Sequence, residues 1–331
     1  MTLVSRIGYD ALRLDAARVV DEIAAHIESQ VRRAMRKRGV VVGLSGGIDS
    51  SVVAALSARA LGASQVVGLL MPERESSSEA LELGRLVAEC IGIETIVEDI
   101  TGVLDSAGCY ARRDAALRSL IPEYGPGWKS KMVLPTVVDN DQFRLFSVVA
   151  RGPNDEERRV RVTPTAYLEV VAAISFKQRT RKMMEYYHAD RLNFAVAGTP
   201  NRLEYDQGFF VKNGDGAADL KPIAHLYKTQ VYQLAEYLGI PDVIRTRPPT
   251  TDTYSLPQTQ EEFYFSLPYD QLDLCLYARN QNVPAADLGE ALGLSEREVE
   301  RVFRDIDSKR RATRYVHMPP QMLVDPLEAI E

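Results

Sequence analysis

The chain has 331 residues, of which 45% are hydrophobic and 26% are charged, a composition typical of a globular protein with an ample core. Its formal net charge of -6 argues against a general attraction to nucleic-acid backbones or anionic membranes, so an anionic ligand must be bound by local groups. No run approaches the roughly 20 apolar residues that a membrane-spanning helix needs, and the first residues lack a signal-peptide pattern. We therefore expect a cytoplasmic protein.

The cysteines and histidines form no pattern typical of a disulfide framework or a metal site. Cys90, Cys109 and Cys275 are odd in number and far apart, and the four histidines include no HExxH pair. We therefore expect reduced cysteines and no structural zinc site.

Hydrophobic patterns in the first hundred residues predict helices that alternate with strands. Apolar residues at helical spacing predict an amphipathic helix over residues 10–37. Short β-branched runs and the helical patterns between them predict strands at 40–44, 66–71 and 94–100 and helices at 52–61 and 79–90. This alternation predicts an α/β fold, with a doubly wound parallel sheet flanked by helices.

The alternation breaks over residues 101–165, which we interpret as an insertion. Two apolar segments, 143–150 and 158–162, flank a Gly-Pro-Asn-Asp-Glu-Glu turn and predict a β hairpin. Three roles stay open for it: a substrate lid, a dimer contact or a neutral decoration.

Beyond the insertion, the pattern predicts a helix over residues 168–188 and a strand over 193–196. A polar loop and a helical region follow Pro249. We expect residues 1–255 to form one nucleotide-binding domain and residues 256–331 to form a helical region packed on it.

The strongest functional signal is a loop of glycine and serine between a predicted strand and a predicted helix. With the strand end before it, the segment reads Gly43, Leu44, Ser45, Gly46, Gly47, Ile48, Asp49, Ser50 and Ser51. Glycines let the backbone approach an anion, backbone N–H groups and serine hydroxyls donate hydrogen bonds, and the helix dipole adds positive charge. The segment predicts a pyrophosphate site. A helix cap alone would explain one serine or aspartate but not the whole string.

Asp49 is the unusual member of this loop. A carboxylate beside a phosphate site is repulsive unless a divalent cation lies between them, so Asp49 implies Mg²⁺. The loop is neither the GxxxxGK[ST] of a Walker A motif nor the GxGxxG of dinucleotide folds.

The string Ser-Gly-Gly-x-Asp-Ser after a first strand resembles the PP-loop ATP pyrophosphatases, which split ATP into AMP and pyrophosphate. Residues 197–240 narrow the choice, because they contain Gly-Thr-x-x-x-x-Glu, then Gly-x-x-x-Lys-x-Gly-Asp-Gly-x-x-Asp, then a Lys-x-x-Val helix. This pattern resembles the ammonia-dependent NAD synthase family. The resemblance implies an adenine nucleotide α-hydrolase-like fold, ATP as co-substrate, Mg²⁺ as cofactor, amidation of deamido-NAD, and a homodimer.

The resemblance also implies roles by position. Asp49 and Glu204 match the magnesium carboxylates. Besides the loop, the positions that match ATP contacts are Thr199, Lys228 and Thr250, and those that match deamido-NAD contacts are Arg179, Lys212, Asp219 and Lys309. Lys228 and Lys212 would act with magnesium to place positive charge at the transition state and the departing pyrophosphate. Thr251 is an alternative to Thr250, because the alignment there can slide by one residue.

Two side chains and the insertion depart from the family pattern. Ser175 stands where the family has an asparagine, and Ser308 stands where it has a histidine before Lys309. Two alternatives stay open, and the lost side chains together with the inserted hairpin suggest the first of them. The same adenylation and amidation could act on a different carboxylic acid, or the chain could bind nucleotide without turnover.

Two further expectations concern partners. Glutamine-dependent enzymes need a nucleophilic cysteine in a glutaminase domain, for which this chain has no room, so we expect free ammonia or a separate glutaminase. Residues 284–304 could form a helix-turn-helix, in which Ser295 and Glu298 make a capping box. The acidic residues of its second helix suit a DNA groove poorly, so we expect no binding of nucleic acid.

Overall fold

The first third of the chain alternates helices with parallel strands, as the hydrophobic pattern predicts. The structure is a computed structural model, and it describes residues 7–135, 145–250, 253–265 and 267–323. The first elements are α1 (Ala16–Glu28), β1 (Val40–Gly43), α2 (Ile48–Leu61), β2 (Val66–Leu70), α3 (Ser78–Ile91) and β3 (Glu94–Val97). A 3-10 helix, Tyr9–Leu12, precedes α1, and a π-helical turn, Ser29–Ala34, continues it.

Helix α2 begins at Ile48, four residues before the predicted start at 52, so the glycine and serine loop leads directly into the helix. The hydroxyl groups of Ser50 and Ser51 donate to the carbonyl oxygen of Gly47, at 3.0 and 2.8 Å. Small polar residues are poor helix formers in general but favour helix ends. The second half of the predicted phosphate loop is therefore the first turn of α2.

Two short helices open the predicted insertion, and the hydrophobic pattern did not indicate them. They are α4 (Thr101–Ser106) and α5 (Cys109–Arg118). The strand before them, β3, ends at residue 97 rather than at the predicted 100, because the Asp99 side chain accepts a hydrogen bond from the backbone N–H of Thr101 at 2.8 Å. This contact turns the chain into α4.

A three-stranded antiparallel sheet follows, with the strands in the order β4 (Lys129–Val133), β5 (Ser147–Arg151) and β6 (Glu157–Arg161). The pairing of β5 with β6 confirms the predicted hairpin, and β4 adds a strand that was not predicted. Phe143, where the first predicted strand of the hairpin begins, lies outside the described residues.

The remaining elements complete the parallel sheet and add a helical end. They are α6 (Pro164–Leu192), β7 (Ala195–Ala197), α7 (Arg202–Gln207), α8 (Lys228–Tyr237), α9 (Asp242–Arg245), a π-helical turn (Glu261–Phe265), α10 (Tyr269–Asn280), α11 (Ala285–Leu292) and α12 (Glu296–His317). The parallel sheet has the order β3-β2-β1-β7, which confirms the α/β class. The chain leaves β1 towards β2 on one side and later returns as β7 on the other, so the sheet has a topological switch point beside β1.

Apolar side chains explain why these elements pack as they do. Every residue of β2 and β7 is buried, as expected for parallel strands covered on both faces. A second apolar cluster joins α10, α11 and α12 to Leu203 and Tyr227, so the helical end packs beside α7 and α8. The domain division at residue 255 stays a prediction. Within the described part of the chain, no helix is both long and apolar enough to span a bilayer.

A buried network of charges joins β2 to the predicted insertion and to α6. The ammonium group of Lys177, 1% exposed, donates to Glu73 and Glu75, each at 2.7 Å, and to the carbonyl oxygen of Thr253 at 3.0 Å. Arg113 of α5 donates to the same Glu75 at 2.5 Å. Four segments are therefore tied together by one lysine and its neighbours.

We predict that Lys177→Met lowers the free energy of unfolding by about 3–5 kcal/mol, because it leaves carboxylates buried without their cation. Urea unfolding would measure the loss. Lys131→Met is the matched control, since its ion pair with Glu262 is more exposed, and we expect it to cost less than about 1 kcal/mol. Equal effects of the two substitutions would contradict the assignment of Lys177 as an anchor.

Candidate active site

A cavity of about 1800 Å³ opens beside the carboxyl ends of β1 and β7. It lies at the switch point, where open α/β sheets bind their ligands. Predicted site residues on its wall are Gly43, Leu44, Ser45, Gly47, Asp49, Ser50, Thr199, Glu204, Thr250 and Lys309. Single-ligand sites are usually about 300–1,000 Å³, so this cavity has room for two nucleotide-sized substrates.

A small second pocket, which shares Asp49 and Thr250 with the cavity, contains most of the remaining predicted ATP contacts. Gly46, Ile48 and Lys228 line it, together with Asp49 and Thr250. Ser51 is fully buried, and its hydroxyl donates to the carbonyl oxygen of Gly47 within the first turn of α2. Thr251, the alternative to Thr250, lies outside the described residues.

The loop is braced by its own hydroxyl groups. The backbone N–H of Gly47 donates to Ser45 Oγ at 3.3 Å, and the hydroxyls of Ser45 and Ser50 are 3.3 Å apart. Gly46 has a φ of +74°, and a Cβ there would lie 2.8 Å from the carbonyl oxygen of Ala80 and from Leu83 Cβ. Both the backbone conformation and the close approach of α3 therefore require glycine.

Three charged groups from separate segments meet beside the loop. Lys228 Nζ forms an ion pair with Asp49 Oδ2. The Asn201 side chain donates to the other oxygen, Asp49 Oδ1, at 3.1 Å. Glu204 lies one turn along α7, where it accepts from the backbone N–H of Asn201 at 3.1 Å, and Gln260 donates to it at 3.3 Å. The structure thus brings together the two predicted metal carboxylates and Lys228, one of the two predicted catalytic lysines.

Burial and the neighbouring charges shift the pKa values of Glu204 and Lys228. Burial, followed by the negative charge of Asp49, raises the pKa of Glu204 to about 8, against the opposing pull of Lys228. Burial alone would lower the pKa of Lys228, but the charges of Asp49 and Glu204 outweigh it and raise that pKa. The surroundings therefore favour the charged form of Lys228 and the protonated form of Glu204.

Two residues of this site were not among the predicted ones. Asn201 could have been predicted from the sequence, because Asn201 and Glu204 form the capping box that starts α7. A capping box is recognisable from a short stretch of consecutive residues. Gln260 lies 56 residues from Glu204 in a polar loop, and no local pattern indicated that it would reach a carboxylate.

Three predicted deamido-NAD contacts lie away from the cavity wall. Arg179 is exposed and donates to the carbonyl oxygen of Lys212 at 3.3 Å. The Lys212 ammonium donates to the carbonyl oxygens of Tyr315 and Met318 at the end of α12, at 3.2 and 3.0 Å. Asp219 accepts from the backbone N–H of Val196 at 2.7 Å. Their roles in binding stay predictions, and so does the catalytic role of Lys212.

The two departures from the family pattern both lie on the cavity wall. Ser308 precedes Lys309 there, and Lys309 donates to the carbonyl oxygen of Tyr264 at 2.8 Å. Ser175 turns its hydroxyl back to the carbonyl oxygen of Val171, at 2.8 Å, within its own helix.

Comparison with known proteins agrees with this geometry. The sequence profile described as NAD synthase matches residues 19–117 and 156–314. The chain belongs to the NAD synthase family. Membership confirms the predicted family and the predicted class of ligase that forms C–N bonds.

Relatives in this family span nearly the whole chain. An NH(3)-dependent NAD(+) synthetase of Rhizobium meliloti is 60% identical over 322 residues, which are 97% of this chain and 96% of the relative. A protein of the same name from Methanocaldococcus jannaschii is 31% identical over 92% of this chain and 96% of its own. The family profile leaves out residues 118–155, which include β4 and β5.

A solved structure confirms the fold. The chain of "NH3-dependent NAD synthetase from Campylobacter jejuni" superposes with a TM-score of 0.61 at 22% identity, over 94% of this chain and all of that one. At this identity the likeness shows the architecture, which is the parallel sheet flanked by helices.

We predict that Gly46→Ala weakens ATP binding, because a Cβ would collide with α3 and distort the loop. The strained backbone should also lower stability by about 1–3 kcal/mol. Gly62→Ala is the control: Gly62 has a φ of +91° with open space around it, so it shares the strain without touching the loop. ATP titration and thermal unfolding would separate the two. Equal ATP affinities in both variants would contradict the prediction.

We also predict a pH-dependent effect of Glu204→Gln in protein kept free of metal with EDTA. An acid whose pKa rises from 4.5 to about 8 on folding destabilises the fold progressively between those pH values, and fully above them. The glutamine variant should therefore gain melting temperature relative to the parent from pH 5 to pH 8.5, by at least about 2 °C. Glu89→Gln, at an exposed position, is the control for loss of one carboxylate. A melting difference that does not change with pH would contradict the prediction.

Proposed function

We propose that the chain is an ammonia-dependent NAD synthetase, which activates the carboxylate of deamido-NAD with ATP and amidates it to give NAD, AMP and pyrophosphate. The carrying observation is identity of 55–60% to three proteins named NH(3)-dependent NAD(+) synthetase, over 95–99% of this chain. The meeting of Asp49, Lys228 and Glu204 beside the loop supports it, since the phosphate chemistry needs these groups in one place.

The residues suit two displacement steps. In the first, a carboxylate oxygen forms a bond to the α-phosphorus of ATP while the bond to the bridging oxygen breaks, and pyrophosphate leaves. In the second, the nitrogen of ammonia forms a bond to the acyl carbon, a proton is lost, and AMP leaves. The loop N–H groups and the start of α2 would bind the phosphates, and buried Lys228 would hold positive charge where negative charge accumulates. Positioning and electrostatics suffice, and no covalent nucleophile is required.

Asp49 and Glu204 fit a bound Mg²⁺. Among the residues that the structure describes, no three acidic, histidine or cysteine side chains converge as a complete metal-binding cluster. Magnesium typically uses one or two carboxylates and completes its shell with water and substrate phosphates. The negative charge of Asp49 contributes to the raised pKa of Glu204, and a cation would reduce this repulsion between the two carboxylates. When bound, the ion would neutralise charge on the phosphates.

Further features of the proposal follow from the family pattern. Lys309 would contact the dinucleotide inside the cavity. Arg179, Lys212 and Asp219 would do so from the neighbouring surface, where Arg179 already touches Lys212. A homodimer with the dinucleotide site near its interface, a supply of free ammonia or of a separate glutaminase, and a cytoplasmic location complete the proposal.

A second candidate keeps the chemistry and changes the acceptor. Ser175 and Ser308 both lie on the cavity wall, where the family pattern has longer side chains. A different carboxylic acid, such as a mononucleotide that carries the nicotinate group, could then be the substrate.

The deciding experiment measures pyrophosphate release from magnesium ATP and ammonium, with deamido-NAD, with nicotinate mononucleotide, or with neither. We expect release and a product with the mass of NAD only with deamido-NAD. Turnover with the mononucleotide alone would establish the second candidate. Release of pyrophosphate from ATP without either acceptor would reject the proposal. So would the absence of pyrophosphate release in all three mixtures.

We predict that Asp49→Asn lowers kcat by about 10²–10³, because it removes the charge that partners Lys228 and the cation, as loss of a transition-state-stabilising group does elsewhere. Circular dichroism should show an unchanged fold. Asp155→Asn, in the turn between β5 and β6, is the control and should keep full activity. Full activity of Asp49→Asn would overturn the site assignment.

A further inference from the structure

Helix α10 holds Lys228 in place, although the proposed mechanism assigns no role to that helix. Its side chain is 1% exposed and reaches Asp49. Its backbone begins α8, and the first N–H groups of a helix have no partner within the helix. A lysine at this position therefore needs an acceptor for its backbone and a fixed direction for its long side chain.

Asp273 of α10 supplies the acceptor. Its side chain is fully buried, and each of its two oxygens accepts one backbone N–H, from Lys228 at 3.2 Å and from Thr229 at 2.6 Å. The contact joins residues 45 positions apart in the sequence. The first turn of α8 is thus bonded to α10 at the residue whose side chain faces the loop.

Tyr269 lies one turn before Asp273, on the same face of α10, and contacts the other end of the lysine. Its ring centre is 5.4 Å from Lys228 Nζ, within the range of a cation–π interaction. Its hydroxyl donates to Gln260, which in turn donates to Glu204 at 3.3 Å. One face of α10 therefore contacts both the backbone and the ammonium group of Lys228.

We propose that Asp273 is a positioning residue for Lys228, which it fixes through the backbone of α8, while Tyr269 supports the ammonium group. A lysine side chain is flexible, so its charge has a defined position only if the backbone and the ammonium group are both held. The inference rests on the proposed function only in taking ATP as the ligand that Lys228 meets. A cap that merely stabilised α8 would affect unfolding and leave the interaction between Lys228 and ATP unchanged.

A double-mutant cycle on ATP affinity tests this. Isothermal titration with magnesium ATP would be run on the parent, Asp273→Asn, Lys228→Met and the double variant, without a carboxylate substrate. Asparagine keeps the shape and one acceptor oxygen but presents an amide group to the second backbone N–H. We expect Asp273→Asn to weaken ATP binding by about fivefold or more in the parent, and by less than about twofold when Lys228 is already methionine.

Asp270→Asn is the matched control, because Asp270 lies in the first turn of the same helix and is exposed. It should leave ATP affinity unchanged in both backgrounds. An equal loss from Asp273→Asn with and without Lys228 would show a purely structural cap and overturn the inference, as would unchanged affinity in the parent background.

A second pair of variants covers the case in which Asp273→Asn does not fold. Tyr269→Phe keeps the ring and loses the hydroxyl, whereas Tyr269→Leu loses both, so their difference isolates the ring. We expect leucine to bind ATP more weakly than phenylalanine does when Lys228 is present, and equally when Lys228 is methionine. Equal affinities in the presence of Lys228 would overturn the inference. The titrations contain no carboxylate acceptor, so the ATP affinities can be interpreted even if the protein does not turn over deamido-NAD.

Discussion

The structure depends on one arrangement of charge, in which a lysine, an aspartate and a glutamate meet where the sheet reverses its strand order. Asp49 comes from the first turn after β1, Glu204 from the short helix after β7, and Lys228 from the start of α8. A single charge removed from water without a partner is strongly unfavourable, so none of the three could be buried alone. Their pairing therefore holds the loops after β1 and β7 in one relative position.

The fold class could be predicted because its signals are local. Buried parallel strands are short continuous runs such as Val40–Gly43, and the loop that follows has a composition that few other structures require. The helices α4 and α5 could not be predicted in the same way. α5 buries apolar residues between charged ones, and one of its charged residues, Arg113, is itself buried because it pairs with Glu75 across 38 positions. A hydrophobic pattern carries no information about such a partner.

The site was predictable to the extent that its residues lie in contiguous motifs. Asp49, Thr199, Glu204 and Lys228 belong to such motifs, and the structure brings them to the loop or the cavity. Gln260 and Asp273 support these residues through packing between distant segments, which the spacing of residues along the sequence does not predict. Spacing also cannot tell which surface a residue faces, as the three predicted deamido-NAD contacts that lie off the cavity wall illustrate.

The ion pair between Lys228 and Asp49 means that each of these two charges already has a counter-ion within the protein. Under the proposed function, a polyphosphate and its cation would exchange partners with this pair, so that the ammonium would bind a phosphate and the carboxylate would bind the cation. Every charge keeps a neighbour of opposite sign before and after the exchange. Such an exchange would leave no charge unneutralised in a medium of low dielectric constant.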